Sequence, residues 1–365
     1  MRFRMRNEHL SSLLMAFLFF NISCLMAGGN PFCVGAFQLQ SFRPNQEDRW
    51  VHHFFEYQGK QGVIAAVFDG HGGDLVAGSL KNHFIRLFMA YKERRGASIE
   101  IALNKTFIKM HNHFEREENK DFFKGGSTAI VTVAVGDQCW FANLGDSRGY
   151  LKKSDGFFAT EDHCYSTNSK EYDYAVSREA VVTGWEWDST KNTRILRLNG
   201  KLMISRAFGD SECKFMEIDR PDGNGTTTIN PMNNDADITW HTMENSSYIL
   251  LASDGFFDVV TNEEVDGLVN EAIKWSLTPE KFIQRYEDKI KLDSSPDMVP
   301  FGETDTKETR VAKLLTYYAV CHKLSGDNTT VVFIQKNKFS WLSNPYVIGA
   351  LGILVLVLLY RYQMR

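Results

Sequence analysis

Short apolar runs rich in Val, Ile, Thr and aromatic residues recur along the middle of the chain. Runs of this length and composition predict β-strands. Five stand out: GVIAAVF (62–68), STAIVTVAV (127–135), QCWFAN (138–143), SYILLAS (247–253) and TTVVFIQ (329–335). The dipeptide Gly136–Asp137 separates two of these runs and predicts a hairpin turn.

A second pattern, with apolar residues every three or four positions, predicts helices. It begins after Asp74 and again after Ser98, which are both candidate N-caps. Thr261 and Glu264 have the spacing of a capping box at the start of a third helix.

Strands and helices follow one another without regular alternation, which indicates an α+β fold and not a doubly wound parallel sheet. The segments 212–238 and 274–312 are polar and irregular, and we expect them to form surface loops or inserts.

Both ends of the chain are apolar. Three arginines precede LSSLLMAFLFFNISCLMA, so residues 1–32 resemble a signal peptide or signal anchor, with a mitochondrial presequence as the alternative. The stretch 341–360 contains no charged residue and is about as long as a membrane span of roughly 20 residues. It predicts a C-terminal transmembrane helix, the alternative being a buried terminal helix.

We therefore expect a membrane location with one or two passes. If only the C-terminal segment inserts, the central domain lies in the cytosol; if the first segment also inserts, or is cleaved, that domain is lumenal or external. The sequence does not decide between these topologies.

The composition excludes some classes of protein. The chain has 365 residues and a net charge of -4, and its lysines and arginines form no basic patch, so we expect no nucleic-acid partner. Its six cysteines contain no C-x-x-C pair, which disfavours a zinc cluster or redox dithiol and leaves disulfides undecided.

Acidic residues recur at the ends of the predicted strands, most of them beside glycine. They are Glu47, Asp48, Asp69, Asp146, Asp254 and Asp327. Each could simply form a turn, since Asp-Gly is a common turn dipeptide. As a set, carboxylates without basic partners repel one another unless a cation binds them, and such oxygen ligands suit Mg²⁺ or Mn²⁺. Two such ions would activate water for hydrolysis.

These residues stand in motifs that resemble the metal-dependent PPM protein phosphatases, the protein phosphatase 2C type. The motifs, in the order of that family, are Arg43-x-x-x-Glu47-Asp48, VFDGHGG (67–73), GGSTAIVTV (125–133), ANLGDSRGYL (142–151), Asp162-His163, LNGKLMISRAFGD (198–210), LASDGFFDVV (251–260) and GDNTTVVFI (326–334). They run from Arg43 to Ile334, and we predict residues 33–337 to be the catalytic domain. The resemblance implies an α-β-β-α sandwich of two antiparallel β-sheets flanked by helices.

The resemblance also implies a site with two Mg²⁺ or Mn²⁺ ions. Asp69 would bridge them, the Gly70 carbonyl would join one, and Glu47, Asp254 and Asp327 would complete the other. Asp146 would hold a weaker third ion with Asp254, the alternative being a hairpin turn.

The catalytic residues implied are Arg43, which would grip the phosphate, His71, which would protonate the leaving oxygen, and Asp48, which would order a water. Asp258 and Asp210 are weaker candidates, and we expect Asp210 to be structural.

The resemblance predicts a phosphatase that acts on phosphoserine and phosphothreonine proteins, is held to a membrane by its C-terminal helix, and is monomeric. Two alternatives remain: a catalytically weak scaffold that binds phosphoproteins, and a metal hydrolase of small phosphate esters. The segment 183–194 lacks the family's usual glycine pair, and Gln46 and Cys164 also depart from its pattern.

Overall fold

Two antiparallel sheets of five strands each form the centre of this computed structural model, which describes residues 30–95, 97–116, 124–188, 193–220, 225–244, 247–287 and 301–336. Residues Phe32–Lys336 form one compact unit. The strands described are β1 (Phe32–Leu39), β2 (Arg49–Tyr57), β3 (Lys60–Phe68), β4 (Gly70–His71), β5 (Gly126–Ser127), β6 (Ala129–Val135), β7 (Gln138–Leu144), β8 (Arg148–Lys153), β9 (Gly156–Ala159), β10 (Val182–Thr183), β11 (Trp187–Asp188), β12 (Thr193–Arg194), β13 (Arg197–Leu198), β14 (Phe208–Gly209), β15 (Met216–Asp219), β16 (Thr226–Ile229), β17 (Asp237–Thr242), β18 (Tyr248–Ala252) and β19 (Thr329–Lys336).

Helices lie on the outer faces of both sheets. They are α1 (Leu75–Arg95), α2 (Ile99–Phe114), α3 (Ser169–Val176), α4 (Ser211–Lys214), α5 (Asp254–Phe257), α6 (Asn262–Trp275), α7 (Pro279–Glu287) and α8 (Lys307–Tyr317), the last running into a π-helical turn at Tyr318–His322. Sheet I has the strand order β1-β19-β18-β8-β9, and sheet II has the order β17-β7-β6-β3-β2.

The alternation of side chains along a strand explains the layers. In β3 every residue from 63 to 68 is buried. The odd-numbered ones join Leu151, Ile249 and Val332 in the apolar layer between the sheets, and the even-numbered ones pack beneath α1 and α2. A third apolar layer lies between sheet I and the helices α6 to α8. The α+β sandwich predicted from the sequence is therefore confirmed.

Most local predictions hold. The hairpin at Gly136–Asp137 joins β6 to β7, with Val135 paired to Gln138. Ser98 caps α2, and Thr261 with Glu264 forms the complete capping box of α6.

The prediction of loops for 212–238 and 274–312 is wrong in part. The first segment contains the hairpin β15–β16, and the second contains α7 and the start of α8. Among the large apolar side chains of α7, Phe282 is fully buried while Ile283 and Tyr286 are half-buried, and these three positions form too short a pattern to predict a helix.

An insert, defined here as residues 160–236, separates β9 from β17. It contains α3, α4 and short hairpins, and its small apolar core includes Tyr165, Leu198 and Met232. The insert forms one wall of the site described below.

The predicted membrane location is contradicted. Among the residues described, no helix is both long enough and apolar enough to cross a bilayer. The segments 1–29 and 337–365, on which that prediction was based, lie outside the described residues.

Candidate active site

A cavity of about 410 Å³ opens where strand ends of both sheets meet the insert. Its sandwich side is lined by Arg43, Glu47, Asp69, Gly70, His71, Thr128, Asp146, Asp254, Asp327 and Asn328, and its insert side by Arg197, Lys201, Leu202, Met203 and Ile204. Eight of the nine site residues predicted from the sequence therefore lie around one cavity. The ninth, Asp48, is fully buried next to it.

The topology brings the carboxylates together. Ala252, at the end of β18, pairs with Val331 near the start of β19, so Asp254 and Asp327 lie at the same edge of sheet I. Asp69 follows the last residue of β3 in sheet II. Residues distant in sequence thus meet because three strands end or begin at the same place.

Two half-buried carboxyl groups of the cavity wall, Asp69 and Asp254, lie close together. Asp69 lies within hydrogen-bonding reach of Asp254 and Asp48. Burial raises the pKa of Asp69 well above its ordinary value, and the charge of Asp254 adds to the effect. Burial also raises the pKa of Asp254, with further repulsion from Asp146. Neither carboxyl can ionise easily unless a cation is present.

Asp48 lies behind this pair with one oxygen unsatisfied. Its Oδ2 accepts a hydrogen bond from the Thr330 hydroxyl at 2.7 Å. Its Oδ1 is buried without a hydrogen-bond partner among the described residues. Burial raises the pKa of Asp48 to about 6. Since a buried oxygen without a donor is costly, this atom is suited to accept a hydrogen bond from a bound water or to face a cation.

Two other candidate ligands are engaged by local donors. Glu47 Oε1 accepts the Gly73 amide at 2.9 Å, while Asp327 forms an ion pair with Arg43 and accepts the Asn328 amide at 2.7 Å. Accordingly, no three His, Cys, Asp or Glu side chains within the described ranges converge on one point as in a formed metal site.

The donor set nevertheless fits hard divalent cations. It consists of carboxylate oxygens and a backbone carbonyl, with no cysteine on the wall described. Gly70 is required for this geometry, because a Cβ there would lie 2.6 Å from the Glu47 carbonyl oxygen. Only glycine lets the segments of Gly70 and Glu47 approach so closely.

His71 lies on the cavity wall and contacts an acidic residue from the insert. Its Nε2 is 2.8 Å and 2.9 Å from the two carboxylate oxygens of Asp210. Burial lowers the pKa of His71, but the charge and hydrogen bond of Asp210 outweigh burial and raise it overall. Asp210, a weaker site candidate that we expected to be structural, therefore also contacts a residue of the cavity wall.

Two polar residues that the sequence reasoning passed over hold the site in place. Asn328 donates to the carbonyls of Gln40 and Asn45 at 2.8 Å and 3.0 Å and accepts the Glu47 amide at 2.7 Å. Thr128 donates its amide to the Asp69 carbonyl at 2.9 Å. Both stand inside the motifs given above, and this position in the sequence could have identified them as residues of the site.

The fold and the site together define an α+β sandwich protein with a carboxylate-lined cavity suited to divalent cations. The family model for protein phosphatase 2C matches residues 33–299. This chain belongs to the protein phosphatase 2C family.

Comparison with individual proteins supports the same family. The chain is 30% identical over 229 residues to "Probable protein phosphatase 2C 56" of Oryza sativa subsp. japonica, which covers 62% of this chain and 58% of that protein. It spans about half the length of the curated relatives it matches.

Two solved structures share the fold. A sex determining protein of C. elegans matches with a TM-score of 0.63 and 22% identity, over 85% of this chain and 66% of that chain. The serine-threonine phosphatase 2C of Toxoplasma gondii matches with a TM-score of 0.57 and 16% identity, over 84% and 96% of the two chains. At these identities the likeness shows the fold alone.

Proposed function

We propose that this chain is a metal-dependent protein serine/threonine phosphatase whose catalytic domain is residues 33–337. The observation that carries the proposal is the close approach of the Asp69 and Asp254 carboxyls on the cavity wall, where the pKa values of both are raised. A protein keeps such a pair where a cation or a proton is part of its work. Family membership supports phosphoproteins as the substrates.

In this proposal the cavity holds two Mg²⁺ or Mn²⁺ ions. Asp69, the carbonyl of Gly70, Glu47, Asp254 and Asp327 would hold them. Asp146 would hold a weaker third ion together with Asp254. When bound, the ions supply activation of the attacking water and neutralisation of the phosphate charge.

The remaining roles belong to protein groups alone. Arg43 binds phosphate oxygens with its planar guanidinium, which is 56% exposed and can leave Asp327 once a substrate arrives. Asp48 accepts a hydrogen bond from the attacking water through its unsatisfied Oδ1. His71 donates a proton to the serine or threonine oxygen as that oxygen leaves.

The test uses the full-length protein and a phosphoserine peptide, with Mn²⁺ titrated and phosphate release measured. We expect hydrolysis that requires the ion and that EDTA abolishes. In parallel, the unfolding midpoint should rise with Mn²⁺ concentration, because a ligand that binds only the native state stabilises it by about 2.7 kcal/mol at 100 times Kd.

The comparison with Asp69→Asn makes the test specific. This variant should lose both the hydrolysis and the Mn²⁺-dependent rise in midpoint, while Lys152→Met, outside the cavity lining, should lose neither. Peptide binding without any metal-dependent hydrolysis would refute the proposal and leave a phosphoprotein-binding role.

A further inference from the structure

We propose that Asp210 is a positioning residue that holds the His71 imidazole in the orientation needed to protonate the leaving oxygen. The inference rests on the proposed function, since it assigns a partner to the residue that acts as the acid there. It is based on the geometry of a small ribbon at the cavity wall.

The ribbon has three two-residue strands in the order β14-β5-β4. His71 of β4 pairs with Gly126 of β5, and Gly126 pairs with Gly209 of β14. Asp210 follows directly after Gly209. The contact of 2.8 Å between His71 and Asp210 therefore crosses over the middle strand.

Gly126 leaves the space for this contact. A Cβ at position 126 would lie 2.1 Å from Asp210 Oδ2 and 2.5 Å from His71 Nε2. Any larger residue would separate the imidazole from the carboxylate. The middle strand is thus compatible with the pair only because it has no side chain at this point.

Asp210 adopts a conformation that its helix does not require. Its φ is 53°, in the left-handed region, which aspartate and asparagine adopt more readily than other residues with a Cβ, whereas an N-cap residue is ordinarily extended. It is also the N-cap of α4, yet its side chain makes no capping hydrogen bond. An aspartate at an N-cap normally accepts a hydrogen bond from the first turn. The Asp210 carboxylate instead accepts a hydrogen bond from His71, and it is only 4% exposed.

The contact determines which nitrogen of His71 can act on a substrate. A carboxylate only accepts hydrogen bonds, so Nε2 must carry a proton towards Asp210. Nδ1 is then the nitrogen left to meet the leaving group. As the bond from phosphorus to the serine oxygen breaks, its electron pair stays on that oxygen, which takes the Nδ1 proton of the His71 imidazolium and leaves a neutral imidazole with its proton on Nε2. The oxygen of the attacking water forms the new bond to phosphorus, and the proton that this water loses goes to solvent.

The test compares two substrates that differ in their need for a proton. A phosphoserine peptide releases an alkoxide that must be protonated, whereas p-nitrophenyl phosphate releases a stable phenolate. In the full-length protein with saturating Mn²⁺, Asp210→Asn should lower kcat about 10- to 100-fold for the peptide and less than about threefold for p-nitrophenyl phosphate. Asparagine tolerates the left-handed conformation, so the turn is retained.

Two further variants separate positioning from a structural role. His71→Gln should show the same dependence on substrate, and Asp210→Asn should add nothing to it, because Asp210 acts only through His71. Asp237→Asn disrupts the other His–Asp pair described, with His163 at 3.0 Å, and should affect both substrates equally. Equal losses on both substrates in Asp210→Asn would overturn the inference.

A spectroscopic measurement needs no turnover. In protein labelled with ¹⁵N-histidine, the Nε2 proton of His71, assigned by its absence in His71→Gln, should shift or disappear in Asp210→Asn. An unchanged resonance would also overturn the inference. If the wild type hydrolyses neither substrate, the proposed function fails, whereas the resonance still decides the contact with Asp210.

Discussion

Two acidic clusters in the described part of the chain differ in one respect. The cavity cluster consists of Asp48, Asp69 and Asp254, whose carboxyls face one another. The insert cluster consists of Glu171 in the insert and Asp237 at the start of the adjoining strand β17, which both bind Arg206. The first has no basic side chain among its hydrogen-bond partners in the described part of the chain, while the second is built around one.

The pKa shifts of the two clusters run in opposite directions. In the cavity, burial and mutual repulsion raise the pKa of Asp69 and Asp254. In the insert, the hydrogen bonds of Arg206 and Ser205 overcome burial and lower the pKa of Glu171, and the hydrogen bond of His163 lowers that of Asp237. A buried carboxylate such as Glu171 therefore does not by itself indicate a ligand site, because Arg206 already neutralises it; the carboxyls of the cavity cluster have no such partner among the described residues.

Removal of one cavity carboxylate gives the largest expected effect. Asp69→Asn should lower kcat more than about 1,000-fold, because an ion lowers the pKa of its water from about 15.7 towards 7 and this benefit is lost. The metal-free variant should be at least as stable as the wild type, since repulsion is relieved. Phosphate release and urea unfolding in EDTA measure the two effects. A clear loss of stability would mean that this cluster is structural after all.

The insert cluster should show the reverse behaviour. Arg206→Met leaves Glu171 buried without its cation and should cost about 3–5 kcal/mol of unfolding free energy. Arg285→Met is the control, since Arg285 is 58% exposed and 3.6 Å from Glu271, and should change stability by less than about 1 kcal/mol. Urea titrations followed by tryptophan fluorescence give both values. Equal effects of the two substitutions would remove the distinction between the clusters.

The contrast also explains how far the sequence could predict this molecule. The cavity ligands stand at strand ends in contiguous motifs, so local patterns identify them. Asp210 could not be assigned to His71, because 139 positions separate them and only the ribbon with Gly126 brings them together. Likewise, Arg197 and Lys201 reach the cavity through the path of the insert, which short, weakly apolar strands define poorly.

The contributions of the two clusters to the unfolding free energy should change with pH in opposite directions. In the metal-free protein Asp48 has a pKa of about 6, against about 3.9 when unfolded. A raised pKa stabilises the fold below the unfolded value, and this contribution is lost as pH rises from about 4 to about 6. Glu171 and Asp237 have lowered pKa values, so their contribution is present above about 4 and is lost as pH falls.

The measurement is the unfolding free energy in EDTA between pH 4 and 7. Relative to the wild type, Asp48→Asn should gain up to about 2 kcal/mol across that window, since the amide has no charge to bury. Excess Mn²⁺ should reverse the wild-type trend, because the ion binds deprotonated carboxylates. If the difference in unfolding free energy between Asp48→Asn and the wild type did not change with pH, a group other than Asp48 would be the one that titrates.

The smallest effect concerns an exposed pair on the insert wall of the cavity. Lys201 and Glu212 are 2.8 Å apart and are 65% and 47% exposed, so Lys201→Met should leave the unfolding midpoint unchanged. In the wild type, the charge of Lys201 faces the cavity that an incoming peptide would enter. Lys201→Met should raise KM about two- to fivefold for a phosphopeptide with Glu beside the phosphoserine and should leave KM unchanged for the same peptide with Gln. In 0.5 M salt, KM for the Glu peptide should be the same in the variant and the wild type. An unchanged KM ratio would mean that the insert wall contributes shape alone, and that charge recognition belongs to the sandwich wall.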